Sequence, residues 1–263
     1  MKRKTSEQAA TDSKKQHLLK PNPDLADRQE QAHAHQILLD PLEQKWALVC
    51  DLGTDIVYSY ELDSVRGALS GASTAPRHLR LPEGSGPRHL DFAPRGKPWV
   101  YITCELSGEV VCASLDRATG DLTMVSSTQA MPEGMPCSRA GHRGNADLHI
   151  SADGKFVYTT TRTDHHIVGF TSDLETGALA FLGRWPTLGK CPRNFHLDEE
   201  SSVLRVVNQG LPGSVSDSGG PELECSVVTY KWDKATGQLS DPCTLELTGM
   251  CPTVVTPPFR VAA

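Results

Sequence analysis

The chain repeats one short motif four times at nearly constant spacing. Each copy is an aspartate, three variable residues, a glycine, one further residue and a leucine, and the copies begin at Asp63, Asp116, Asp173 and Asp233. Their glycines are 53, 57 and 60 residues apart. Aspartate favours the start of a turn by bonding to its own backbone, and glycine tolerates positive φ. A period this long, built of strands and turns, predicts propeller blades rather than one sandwich.

Three segments rich in β-branched and aromatic residues precede each copy of the motif. They predict the first three strands of a four-stranded antiparallel blade, and the leucine of the motif starts the fourth. The fold class is therefore all-β, a β-propeller with about four blades. The predicted strands are 35–40, 46–50 and 55–62; 88–93, 99–104 and 109–115; 147–151, 156–161 and 166–172; and 193–198, 204–208 and 226–232.

Composition limits the classes of partner. The formal net charge of −6 argues against a general nucleic-acid surface, which needs a basic field. No apolar run approaches the roughly 18 residues of a membrane span, and no signal-peptide pattern opens the chain. The eight cysteines include no C-x-x-C pair. These features predict a soluble cytoplasmic protein that binds neither nucleic acid nor membranes. Residues 1–32 predict a disordered polar and basic tail, and residues 33–263 the propeller domain.

Polar residues that differ from blade to blade cluster at one face of the predicted propeller. The loops entering strand 1 and leaving strand 2 open on this face. Aligned repeats place His35, Arg88, Ala146 and Arg193 at one register, with Gln36, His89, Asp147 and Asn194 one step inward. The ends of strand 2 align Asp51, Glu105, Arg162 and Gln209. A single asymmetric ligand on the axis needs a different group from each blade, whereas a pure scaffold does not. The alternative is that these residues are merely solvated.

Three local patterns suggest the chemistry of this face. His33 and His35 flank one alanine, so an extended segment places both imidazoles on the same side. They could bind a metal, but no third ligand stands nearby in sequence, and no metal or cofactor is predicted. Arg88 and Arg193 each follow a proline, and a guanidinium suits a carboxylate or phosphate. Asp51 and Glu105 could orient a histidine or pair with an arginine.

Seven strings carry a resemblance to a known family. They are HAHQILLDP, VCDLGTDIVYSYELD, GSGPRHLDFAP, CELSGEV, NADLHISADGKFVYTTTR, GKCPRNFHLD and VVNQ, within residues 33–209. In this order they resemble the lactonase family of seven-bladed propellers, which includes bacterial 6-phosphogluconolactonases and fungal carboxy-cis,cis-muconate cyclase. The resemblance implies catalytic roles for His35 or His33, Arg88, Glu105 and Arg162. It implies substrate binding by Asp51, His149, Lys190, Arg193 and Asn208.

The resemblance also implies an activity and its rivals. The leading expectation is hydrolysis of 6-phosphogluconolactone to 6-phosphogluconate, a step of the pentose phosphate pathway, with a histidine as general base and arginine at the oxyanion. One alternative is a lactone-forming cyclase, and another is a non-catalytic propeller fragment or interaction module. In the family the HAH segment follows two or more blades, whereas here it follows a short tail. The resemblance thus implies an incomplete seven-bladed propeller that lacks its N-terminal blades, with residues 250–259 as the strand that normally closes the ring. The open edges could self-associate.

Overall fold

The described part of the chain consists of four antiparallel sheets. A computed structural model describes residues 28–69, 77–130, 144–210 and 225–247, and these contain no α-helix. The first sheet contains β1 (Ala34–Leu39), β2 (Trp46–Asp51), β3 (Ile56–Asp63) and, both paired to β3, β4 (Ala68–Leu69) and β5 (Arg77–Arg80). The second contains β6 (Pro87–Phe92), β7 (Trp99–Cys104), β8 (Glu109–Leu115) and β9 (Leu122–Gln129).

The last two sheets repeat this arrangement. The third contains β10 (Asn145–Ile150), β11 (Phe156–Thr161), β12 (His166–Ser172) and β13 (Leu179–Pro186). The fourth contains β14 (Pro192–Asp198), β15 (Val203–Asn208), β16 (Ser226–Trp232) and β17 (Leu239–Glu246). Each sheet is a blade whose strands follow one another in chain order, which confirms the predicted fold class. The predicted closing strand at 250–259 lies outside the described residues, as do residues 1–27 of the predicted tail.

The core lies between consecutive blades rather than within each one. One buried cluster joins Leu48 of β2 to Ile102 of β7, and a second joins Tyr101 of β7 to Val157 of β11. A third joins Tyr158 of β11 to Phe195 of β14. Burial of these apolar faces stabilises each blade only against its neighbour, as in other repeat architectures.

The repeated motif has a packing role at these interfaces. Its glycine adopts positive φ in all four copies, and in the last three it lies under an aromatic ring that opens the second strand of the preceding blade. A Cβ on Gly120 would come within 2.5 Å of the Trp46 ring, and one on Gly237 within 2.5 Å of the Phe156 ring. Gly177 faces Trp99 and Cys112 in the same way, at 2.8 and 2.7 Å. The glycine is therefore required for ring-to-backbone contact between blades as well as for the turn.

The inner strands are joined by side chains that bond to the backbone of the next blade. Gln36 Oε1 accepts a hydrogen bond from the Leu90 amide at 2.7 Å. Asp147 Oδ2 accepts one from the Phe195 amide at 3.0 Å. These links fix the spacing of the inner strands around the channel. None of the described residues belongs to a helix with the length and apolarity that a bilayer crossing requires.

Two glycines of the motif offer a matched stability test. Gly67 and Gly120 both have positive φ, 63° and 80°, but nothing described lies within 4 Å of a Cβ at Gly67. Alanine should cost about 1–2 kcal/mol at either position through its left-handed backbone. At Gly120 we expect about 1–3 kcal/mol more, because the methyl group meets Trp46. Urea unfolding of the two variants measures the difference, and equal destabilisation would contradict the interblade contact.

Candidate functional site

The inner strand of every blade begins with an irregular step in its pairing. The register shifts between Ala34 and Gln36, Pro87 and His89, Asn145 and Leu148, and Pro192 and Asn194. Such bulges re-aim side chains and are common beside active sites. The four residues aligned from the sequence all lie within these steps: His35, Arg88, Ala146 and Arg193. The sequence register of the first strands thus holds in three dimensions.

Three arginines surround the carboxylate of Glu105. Arg88 Nε lies 2.8 Å from Glu105 Oε2, and Arg162 Nη2 lies 2.6 Å from the same oxygen. Arg28 Nη2 lies 2.5 Å from Glu105 Oε1. We call Arg28, Arg88, Glu105 and Arg162 the arginine cage. The side chains of Arg88, Arg162 and Glu105 are 3%, 2% and 1% exposed, whereas that of Arg28 is 27% exposed.

The charges of the cage do not balance. Burial alone would raise the pKa of Glu105, but the guanidinium groups, Arg162 foremost, lower it to about 2. Burial, followed by the charge of Arg162, lowers the pKa of Arg88 to about 10, so Arg88 stays protonated at neutral pH. One carboxylate therefore faces three cations. The charge of Arg193 acts on both Arg88 and Arg162, so this end of the channel favours an anion.

Backbone groups of blade 3 hold the two buried arginines. Arg88 Nη1 donates to the Ala146 carbonyl, and Arg162 donates through Nε to the Gly144 carbonyl at 3.4 Å and through Nη2 to the Asn145 carbonyl at 3.4 Å. These carbonyls orient the guanidinium planes without neutralising them. The cage is thus rigid but keeps its positive charge.

A buried aspartate organises the loop that carries Arg88. Asp55 accepts from the amide of Gly84 at 2.9 Å and from that of Gly86 at 2.7 Å. It also accepts from Gln29 Nε2 at 2.9 Å, and Gln29 donates to the Leu52 carbonyl at 2.9 Å as well. Asp55 therefore fixes both the loop before Arg88 and the segment that places Arg28 at the cage. This segment belongs to the predicted tail, yet Gln29 is buried.

Two imidazoles lie beside the cage. The rings of His35 and His89 meet edge to face with centroids 5.9 Å apart. Burial, and then the charge of Arg88, lowers the pKa of His35 to about 4. His35 is therefore neutral at neutral pH. His89 Nδ1 lies 2.6 Å from Asp147 Oδ1, and His89 Nε2 lies 3.2 Å from Arg88 Nη1.

His149 lies further along the same inner strand as Asp147. Its Nε2 is 3.4 Å from Asp147 Oδ2 and its Nδ1 is 3.8 Å from Asp91 Oδ2. Its ring packs edge to face on Phe195 at 4.8 Å. Although burial opposes it, the Asp147 carboxylate raises the pKa of His149. His149 thus joins the site through Asp147, and its predicted contact with substrate stays a prediction.

The predicted register of the second strands was wrong by one residue in blade 1. In blades 2 to 4 the residue after the second strand donates its amide to a carbonyl just before the first strand: Glu105 to Gly86, Arg162 to Gly144, and Gln209 to Cys191. In blade 1 the matching bond runs from the Leu52 amide to the His33 carbonyl. Leu52, not Asp51, is therefore equivalent to Glu105. Asp51 pairs with Ala34 in the ladder, one step earlier. The sequence alignment put Asp51 at the position that Leu52 occupies in the structure. The side-chain pattern does not indicate where the strand ladder ends.

Asp51 and Asn208 are engaged with the protein itself. Asp51 Oδ1 accepts from the amides of His33 at 2.7 Å and Gly53 at 3.0 Å. Asn208 Nδ2 donates to the Thr187 carbonyl at 2.8 Å and to Ser226 Oγ at 3.0 Å. These contacts favour structural roles for both residues over the substrate-binding roles that the resemblance implied.

Three further residues were predicted for the site: His33, Arg193 and Lys190. His33 Nε2 lies 2.8 Å from Glu30 Oε1 in an exposed pair, and the pairing of β1 shifts between Ala34 and Gln36. Arg193 donates to Gln209 Oε1 at 3.3 Å and lies close enough to influence the cage. Lys190 lies on the loop before β14, where burial first and then its charge lower the pKa of His165. Arg193 therefore lies near the cage, and the site roles predicted for His33 and Lys190 stay predictions.

The structure adds residues to which the sequence analysis gave no role. The repeat alignment placed His89, Asp147 and Asn194 one step inward without assigning them a role. In the structure Asp147 contacts both of the others, and its Oδ2 lies 2.5 Å from Asn194 Nδ2. Arg28 had no signal, because it lies in a polar segment without periodicity. In the described ranges no group of three histidine, cysteine or acidic side chains has the geometry to hold a metal ion.

Comparisons with known proteins agree with the propeller fold. A family model described as lactonase, 7-bladed beta-propeller, matches residues 2–240. A 6-phosphogluconolactonase of Bacillus subtilis is 30% identical over 236 residues, which are 89% of this chain and 58% of the relative. The chain thus spans little more than half the length of this curated relative.

Solved structures show the same relationship. A crystal structure of a Lactobacillus plantarum protein has a TM-score of 0.70 at 29% identity, covering 85% of this chain and 57% of that one. A periplasmic gluconolactonase of Pseudomonas aeruginosa has a TM-score of 0.69 at 27% identity, covering 83% and 55%. Both structural alignments cover most of this chain.

Replacing Glu105 with glutamine tests the electrostatics of the cage. The variant leaves buried arginines without their carboxylate, which should cost about 3–5 kcal/mol of unfolding free energy at neutral pH. Because the native pKa of Glu105 is lowered from 4.5 to about 2, its stabilisation is complete above pH 4.5 and is lost as the pH falls towards 2. The difference between wild type and variant should therefore shrink across that interval in chemical denaturation.

The matched control is Glu175→Gln. Glu175 is 82% exposed and pairs with Lys97 at 2.6 Å on the surface. An exposed pair contributes little, so we expect a change below about 1 kcal/mol. A Glu105→Gln variant as stable as this control would contradict the cage.

Proposed function

The chain belongs to the lactonase family of seven-bladed β-propellers, and on this basis we propose that it hydrolyses a sugar lactone. The arginine cage is the observation that carries the proposal, because it sets positive charge beside neutral imidazoles in a buried site. Ester hydrolysis develops an oxyanion at the carbonyl and requires a group that takes a proton from water. The relatives named 6-phosphogluconolactonase and gluconolactonase support this class of substrate.

Arg88 and Arg162 are the proposed oxyanion donors. Both are almost fully buried and are held by blade 3 carbonyls, so neither must reorganise as charge develops. Such preorganised donors act strongly where water is excluded. Glu105 positions both guanidinium groups through one oxygen atom. It also keeps the cage from carrying three uncompensated charges.

The proton acceptor is an imidazole in its neutral form. His35 was predicted for this role, and it is neutral at neutral pH. Burial and the charge of Arg88 both disfavour the protonated form of His35. His35 therefore needs a bound anion nearby before it can retain a proton. His89 is the second imidazole of the site.

The most specific substrate that we propose is 6-phosphogluconolactone. The surplus charge of the cage and of Arg193 suits a lactone that carries a phosphate, and Arg28 is the cage guanidinium that solvent reaches best. Phosphorylated sugars are metabolites of the cytoplasm, where we place the reaction. This assignment would make the reaction a step of the pentose phosphate pathway.

Replacing Arg88 with alanine tests the proposed oxyanion donor. We expect the rate of hydrolysis to fall by about 10²–10³, because one preorganised donor is lost. The release of acid from 6-phosphogluconolactone, measured above the uncatalysed rate, gives this value. Arg66→Ala, at a side chain that is 82% exposed on blade 1, is the control and should match wild type. A fully active Arg88→Ala variant would refute the role.

The cyclase alternative has its own assay, in which wild-type chain is mixed with a muconate substrate and the ultraviolet absorbance is followed. Loss of this absorbance without lactone hydrolysis would favour the cyclase.

Replacing Arg28 with alanine tests the recognition of phosphate. A charge-assisted hydrogen bond to the substrate contributes about 1.5–3 kcal/mol, so KM for the phosphorylated lactone should rise roughly 10- to 100-fold. The unphosphorylated gluconolactone should show little change, since it lacks the anion. Equal effects on both substrates would show that Arg28 only supports Glu105.

A further inference from the structure

His89 and Asp147 form a close pair across the interface of blades 2 and 3. His89 Nδ1 lies 2.6 Å from Asp147 Oδ1, and the two side chains are 19% and 3% exposed. Residues 58 positions apart in sequence therefore meet at the inner face of the propeller. A carboxylate on one ring nitrogen of a histidine is the arrangement that orients and activates a general base.

The partners of His89 fix its tautomer. The neighbouring imidazoles and hydrogen bonds hold the pKa of Asp147 well below its usual range despite burial, so its ionised carboxylate can only accept. His89 Nδ1 must then carry the proton. Arg88 is a donor only, and its Nη1 lies 3.2 Å from His89 Nε2, which must then present its lone pair. Both contacts require the same tautomer, with the proton on Nδ1 and the lone pair on Nε2.

Asp147 is held from several directions. Its Oδ1 accepts from the Leu148 amide at 3.0 Å, and its Oδ2 accepts from Asn194 Nδ2 at 2.5 Å and from the Phe195 amide at 3.0 Å. Two of these donors belong to blade 4. Three blades therefore fix the angle at which Asp147 meets His89. Such support is what a positioning residue needs.

His89 Nε2 and a proposed oxyanion donor face one point. Arg88 Nη1 directs its two protons to the Ala146 carbonyl and to His89 Nε2, which lies 3.2 Å away. A water that replaces Arg88 at Nε2 would release this N–H for the carbonyl oxygen of the substrate, so the water and the carbonyl would be neighbours. This is the geometry expected of a base and an oxyanion donor that act on one reacting carbon. No carboxylate is found against a ring nitrogen of His35 among the contacts of the described residues, and its surroundings oppose a positive charge.

We propose that His89, oriented by Asp147, is the general base that takes the proton from the attacking water, and that His35 stays neutral. This inference rests on the proposed lactone hydrolysis and assigns its proton transfer. A neutral imidazole such as His35 can donate a hydrogen bond to a carbonyl, as neutral histidines do in other enzymes. The two neighbouring rings thus have different tasks.

The reaction balances with these groups alone. Water loses a proton to His89 Nε2 while its oxygen bonds to the lactone carbonyl carbon, and the C=O π pair moves to oxygen beside Arg88. The imidazolium is then held by Asp147 at Nδ1. As the carbonyl reforms, the bond to the ring oxygen breaks, and this oxygen takes the proton from Nε2. The products are the open hydroxy acid and the original form of His89.

The pH dependence follows from the groups that face His89. These are Arg88 on its own strand, His35 on β1, and Asp147 and His149 on β10. Burial lowers the pKa of His89, and the Asp147 carboxylate opposes this. As a base, His89 must be unprotonated, so kcat/KM should fall as the pH falls through its pKa. Without the carboxylate that limb should move to lower pH.

The test compares His89→Gln and Asp147→Asn with His78→Gln. His78 lies on the outer strand β5 and is exposed, so its variant should match wild type. We expect His89→Gln to lower kcat for lactone hydrolysis about 10²–10⁴-fold with little change in KM, and to remove the acid limb. Asp147→Asn should lower kcat and shift the limb to lower pH. Unchanged kcat and pH profile in His89→Gln, or loss of the limb in His35→Gln instead, would overturn the assignment.

Nitrogen NMR of wild-type His89 provides a second readout that needs no variant to fold. The proposal predicts the Nδ1–H tautomer at neutral pH, and the Nε2–H tautomer would overturn it. The hydrolysis assays separate the two proposals. A wild-type chain that hydrolyses no lactone would refute the proposed function, whereas an active chain with an unaffected His89→Gln variant would refute only the assignment of the base.

Discussion

Contact between an aromatic ring and a turn glycine of the next blade is the interaction on which the rest of the structure depends. Trp46, Trp99 and Phe156 each cover such a glycine, and only a residue without a Cβ allows the ring so close. The site is assembled across these interfaces. Arg88 and Glu105 belong to blade 2, Arg162 and Asp147 to blade 3, and His35 to blade 1. A change in the angle between blades would therefore separate the reacting groups, although no blade had unfolded.

The buried charges account for the stability of the site and for the reactivity that we propose for it. Glu105 permits two arginines to remain buried, because it accepts from both through one oxygen. It does not neutralise them, so the remaining positive charge attracts an anion and adds to the effect of burial, which keeps His35 neutral. Burial also lowers the pKa of His89, but there the Asp147 carboxylate opposes the shift. A carboxylate on the ring nitrogen of only one of two neighbouring imidazoles is how one site can separate the tasks of hydrogen-bond donor and base.

The sequence predicted the blades well and the site in part. Turn chemistry and strand composition act locally, so the repeat at Asp63 and its copies identified every blade that the structure describes. The inner register of Arg88 and His89 also followed from repeat alignment. Arg28 could not be predicted, because a contact across 77 residues leaves no local pattern. Asp51 was misaligned for a related reason: where a ladder ends depends on backbone bonds that the side-chain pattern does not record.

The central claim is that a cage of arginines around one carboxylate, with imidazoles beside it, hydrolyses a phosphorylated sugar lactone. The most direct test is the rate of 6-phosphogluconolactone hydrolysis by the purified chain over a range of protein concentrations. The account predicts a rate above the uncatalysed one that increases in proportion to protein and saturates with substrate. A rate equal to the uncatalysed one at every concentration, from a chain shown to be folded, would contradict it.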